Sequence, residues 1–82
     1  LTEWEYRQVL VCYKEGQEPQ VLLDGEPVDE SPEQVMSRLW ESGWEQEALW
    51  FITIEREGRL QEVPHQIRYR RRRRDEETEA GC

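Results

Sequence analysis

Both ends of one short helix are written into the chain between Ser31 and Gly43, and they fix where its neighbours must go. Ser31-Pro32-Glu33-Gln34 is a helix start. Ser31 can accept from the N3 backbone N–H, Pro32 suits N1 because its missing N–H needs no partner, and Gln34 completes a capping box. Val35, Met36, Leu39 and Trp40 then form one apolar stripe at helical period. Gly43 falls where the helix end needs a positive φ, and Trp44 falls where a residue packs back on the last turn. Ser31, Gly43 and Trp44 are thus the expected structural hinge. After a polar link, Ala48 to Ile54 reads as a buried strand, rich in aromatic and β-branched residues.

The flanking segments alternate as strands do. From Trp4 to Tyr13, Trp4, Tyr6, Leu10 and Cys12 point to one face, and Val9, Val11 and Tyr13 to the other. Both faces turn apolar toward Tyr13, which predicts a central strand there. Val21-Leu22-Leu23 is a second strand, and Asp24-Gly25 is a tight-turn dipeptide. Glu26-Pro27-Val28 can return beside it only at an edge, because Pro27 lacks a donor. Beyond Ile54, a polar turn around Gly58 predicts that Trp50–Ile54 pairs with the segment after that turn. Pro64 is expected to interrupt that return, and His65 to be an exposed turn residue. The strand resumes with Ile67 and Tyr69 alternating with Arg68 and Arg70. The order β-β-α-β-β predicts an α+β fold, a small antiparallel sheet of about four strands with one helix packed on one face. Residues 1–74 are expected to be one domain ending in an arginine-rich strand end, and 75–82 an acidic disordered tail.

Composition bounds the function. A domain of 82 residues buries only about 60–65% of its unfolded surface. With 35% hydrophobic residues and four Trp, the core must be small and aromatic. Trp40, Trp44 and Trp50 are expected in it; Trp4, flanked by Glu3 and Glu5, is the exception. No apolar run approaches the ~20 residues of a membrane helix. The acidic start lacks the blocks of a signal peptide, so a cytoplasmic location is expected. Two cysteines and one histidine offer neither a disulfide framework nor zinc spacing, and no cofactor is expected. The glycines lack phosphate-cradling spacing, and no Ser or Cys sits in a nucleophile context, so the chain reads as a non-enzyme.

Charge is the strongest remaining signal. The net charge is −8, yet Arg68, Arg70, Arg71, Arg72, Arg73 and Arg74 lie within seven positions. Three readings stay open for this run: phosphate contact with nucleic acid, pairing with the acidic body and the acids at 75–79, or contact with an acidic protein partner. The acidic body disfavours a broad nucleic-acid surface.

Trp4-Glu5-Tyr6, Leu39-Trp40-Glu41-Ser42-Gly43-Trp44-Glu45 and Tyr69 with Arg70–Arg71 resemble the signature of a family of small bacterial domains of unknown function. Its members read Trp-Glu-Tyr near the start, Gly-Trp-Glu after the helix and Tyr-x-x-Lys-Arg near the finish. The chain departs from that signature in placing Trp40 where the family has a small residue. The resemblance implies a compact antiparallel sheet with one helix, and nothing about catalysis. The resulting expectation is a small interaction or accessory module that docks to a protein partner or to itself. The alternative is a nucleic-acid accessory protein acting through the arginine run.

Overall fold

A computed structural model describes residues 3–73. In chain order it contains β1 (Trp4–Cys12), β2 (Gln20–Leu23), β3 (Glu26–Val28), α1 (Pro32–Glu41), β4 (Glu45–Arg56) and β5 (Arg59–Arg72). The strands form one antiparallel sheet of five, ordered β3-β2-β1-β5-β4. The sheet therefore has one strand more than the four expected. The addition is Glu26-Pro27-Val28, which pairs with β2 through the Asp24-Gly25 turn. Pro27 is tolerated there because β3 is an edge.

Local chemistry sets both ends of α1. Ser31 Oγ accepts from Gln34 N at 3.2 Å, and Gln34 Oε1 accepts in return from Ser31 N at 2.9 Å. At the other end Gly43 has φ +89°. There Gly43 N donates to Trp40 O at 3.1 Å and Trp44 N to Leu39 O at 3.0 Å, the two bonds of a Schellman motif. Trp44 folds back and is 5% exposed.

The core lies between α1 and one sheet face. It contains Val9 and Val11 of β1, Val21 and Leu23 of β2, Val35 and Leu39 of α1, Ile67 and Tyr69 of β5, and Trp44. Trp40, expected in this core, is instead 72% exposed. Each helical residue turns about 100°, so Trp40 lies about 120° round from the midpoint of Val35 and Leu39, whereas Met36 lies only about 80° away. The buried stripe of so short a helix is narrower than its apolar pattern.

β4 and β5 form a long hairpin closed by Glu57 and Gly58, both at positive φ. At ~3.3 Å per residue β5 alone spans about 46 Å, which accounts for most of the 60 Å long axis. The radius of gyration is 16.0 Å, against about 12 Å for a compact chain of this length. β1 follows β5 only as far as the Leu10–Gln66 pair, so the rest of the hairpin runs on as a two-stranded ribbon. Three expectations are corrected here. The Ala48–Ile54 segment is not buried: β4 is an edge strand, with Trp50 45% and Phe51 51% exposed. Pro64 does not interrupt the return strand, because it sits at a register shift beyond the reach of β1, where its missing N–H leaves no ladder bond unmade. His65 is half-buried within β5, its Nδ1 3.1 Å from Val11 O. A carbonyl oxygen only accepts, so Nδ1 carries the proton.

Candidate protein-docking face

Strand alternation divides the arginine run between the two faces of the sheet. β1 and β5 pair with Trp4 opposite Arg72, Tyr6 opposite Arg70 and Gln8 opposite Arg68, and directly opposed residues point to the same side. Val9 opposite Ile67 belongs to the helix side. Trp4, Tyr6, Leu10, Arg68, Arg70 and Arg72 therefore share the face that α1 leaves uncovered. Trp50, opposite Gln66, joins them from β4.

On this face the guanidinium groups lie over the aromatic rings. Arg70 is 4.1 Å and Arg72 5.7 Å from the Trp4 centroid. Arg68 stands between Tyr6 at 5.8 Å and Trp50 at 5.9 Å. Two carboxylates at the sheet edge hold these arginines in place: Arg68 Nε donates to Glu47 at 2.7 Å and Arg70 Nε to Glu45 at 2.8 Å. Arg72 has no acidic partner among the described residues. Partly exposed rings thus alternate with cations, two of which are held by carboxylates. Such a surface offers apolar area together with planar donors for carboxylates.

Arg71 and Arg73 make their contacts within the fold. Arg71 points to the helix side, donates from Nη1 to Ser42 O at 3.0 Å and lies 4.4 Å from the Trp44 centroid. It also faces Glu5 at 3.5 Å. It thereby satisfies a carbonyl at the helix C-terminus, where a cation is favoured, and covers the ring that staples helix to sheet. Replacing Arg71 with Ala is expected to cost about 1 kcal/mol, read as a lower urea midpoint, with the uncovered face unaffected. An unchanged midpoint would make the stack on Trp44 incidental. Arg73 is tied to Glu3, by a 2.8 Å backbone bond and an exposed 3.3 Å ion pair. Arg74 and the expected tail at 75–82 lie outside the described residues.

Sequence neighbours mislead at Trp4. Glu5 points to the opposite side of β1, and the residues beside the ring are arginines from β5. Strand alternation places Trp4 and Tyr6 together, but only the β1–β5 register reveals what faces them. The shifted ionisations lie off this face. Burial pushes the Tyr69 hydroxyl up in the helix-side core, and burial, partly opposed by Arg56, does the same for Tyr13. The Glu30 carboxyl beside α1 is held down by its hydrogen bonds to Arg38, at 3.0 and 2.6 Å. Among the described residues no group of three or more His, Cys, Asp or Glu is placed to hold a metal ion. Among the same residues no helix is long and apolar enough to cross a membrane.

The fold and this face define a five-stranded antiparallel sheet module with a helix on one side and an aromatic, arginine-bearing surface on the other. Comparison with protein-family models, curated proteins and solved structures found no match. The likeness to the small bacterial domains therefore rests on the motif residues alone.

Proposed function

We propose that the chain is a non-catalytic docking module whose uncovered sheet face receives a protein segment carrying carboxylates beside apolar side chains. The observation that supports this reading is the interleaving of Arg68, Arg70 and Arg72 with Trp4, Tyr6 and Trp50. Trp, Tyr and Arg are the residues most enriched where protein interfaces concentrate their energy. A cytoplasmic, bacterial setting fits the composition and the motif likeness.

Nucleic acid is the second reading, because exposed rings beside cations also suit base stacking. Three features favour a protein instead. Arg70 already lies 4.1 Å over Trp4, so a base stacking there would have to displace it. Glu45 and Glu47 stand beside the arginines. The chain as a whole carries −8, which opposes the dense charge of a phosphate backbone more than the few carboxylates of a mixed peptide. With three arginines on the face, the log-affinity for a single strand would change with log-salt at a slope no steeper than about −2.

Selection of random displayed peptides against the full chain tests the proposal. Sequences mixing Asp or Glu with Leu, Phe or Trp are expected, with binding lost in Trp4→Ala and Arg70→Ala and kept in Trp40→Ala. Salt-sensitive binding of oligo(U), together with no enrichment of acidic peptides, would overturn it in favour of the second reading.

A further inference from the structure

The two edges of the sheet are not equally protected. β3 is three residues long and carries Pro27, two features that discourage a further strand from pairing. β4 is twelve residues long, has β5 on one side only, and from Ala48 to Ile54 contains neither a charge nor a proline. Its charged residues stand only toward the ends: Glu45 and Glu47 at one, Glu55 and Arg56 at the other. Left open, such an edge is a template for another strand.

The pattern of β4 suits its own copy. Directly opposed residues of antiparallel strands share a face, so a two-fold axis normal to the sheet must relate a residue to itself. With Phe51 on that axis, Trp50 lies across from Ile52 of the second copy, Leu49 from Thr53, and Ala48 from Ile54. Glu47 is the extra residue where the register slips between Gln46 and Ala48. Past it the ladder resumes with Glu45 across from Arg56 of the second copy, so opposite charges close both ends. An unrelated peptide would have no reason to meet this two-ended charge match.

We infer that two copies of this chain pair antiparallel through their β4 edges, joining two five-stranded sheets into one of ten strands. The inference deepens the docking reading by naming the second copy as a partner, but it rests on the edge rather than on the uncovered face. Pairing would set the two aromatic faces side by side as one platform. The charge of −8 on each copy opposes association, and salt screens that repulsion over a Debye length of about 10 Å at 0.1 M.

Sedimentation equilibrium of the full chain is expected to show a mass rising with concentration from 10.0 kDa toward twice that value, at lower concentrations when salt is added. Thr53→Lys places a charge on the exposed edge and is expected to weaken the dimer about tenfold or more, with the far-UV circular dichroism unchanged. In a Cys12→Ser, Cys82→Ser background, Phe51→Cys is expected to form a disulfide-linked dimer under mild oxidation and Trp40→Cys is not. This arm decides the question should Thr53→Lys fail to fold. A monomer at every concentration and salt would overturn the inference while leaving the face proposal standing. So would a dimer that ignores Thr53→Lys and does not cross-link through Phe51→Cys. Failure of peptide selection with the dimer intact would do the reverse.

Discussion

Ile67→Ala is expected to destabilise the protein by about 3–4 kcal/mol. Ile67 is fully buried, lies between Val9 and Leu49 in neighbouring strands, and belongs to the layer that Val35 and Leu39 cover. Removing its three outer carbons loses their transfer free energy and leaves a cavity on a stiff strand that cannot collapse around it. A domain of this size holds on the order of 5 kcal/mol in total, so the variant should stand near the edge of unfolding. Urea melts at 25 °C read the difference. Trp40→Ala serves as the control, expected to stay within about 0.5 kcal/mol because that ring is largely in solvent. A larger loss at Trp40 than at Ile67 would place the core on the wrong side of α1.

Gly43→Val is the second large effect, at about 2 kcal/mol. Its cause is backbone conformation rather than crowding. A Cβ at Gly43 would meet only Arg71 Cδ, at 3.6 Å, an ordinary contact, but φ of +89° is one that a β-branched residue scarcely adopts. To relieve the strain the chain must give up the Trp40 and Leu39 carbonyl bonds that end the helix and aim Trp44 into the core. Gly43→Asn should cost less than half as much, since Asn tolerates positive φ. Equal melting midpoints for the wild type and Gly43→Val would remove the Schellman motif as the device that joins helix to sheet.

These two sites also separate what was legible in the amino-acid sequence from what was not. The helix limits were legible because each depends on residues within five positions: Ser31 with Gln34 at one end, Gly43 with Trp40 and Trp44 with Leu39 at the other. The two faces of β1 were legible from alternation alone. Strand order was not, because it is decided by pairings between distant segments. Ala48–Ile54 has the composition of a buried strand, yet β5 rather than β4 sits beside β1, and that choice leaves Trp50 and Phe51 at an edge. The arginine run looked like a single electrostatic feature. Pairing with β1 assigns Arg68, Arg70 and Arg72 to one side and Arg71 to the other, where it completes the helix end. Alternation implied that division; that rings lie beneath one set and Ser42 beside the other depends on the register.

On the proposal above, a partner docks on the uncovered face and not on the outer surface of the helix. Four tryptophans report on it separately: Trp4 and Trp50 on the face, Trp44 in the core and Trp40 on the outside of α1. In a proton–nitrogen spectrum each indole N–H gives one signal. Titrating the full chain with a selected acidic, apolar peptide should move the Trp4 signal most and Trp50 with it, while Trp40 stays in place. Movement of Trp40 with Trp4 unchanged would contradict the claim.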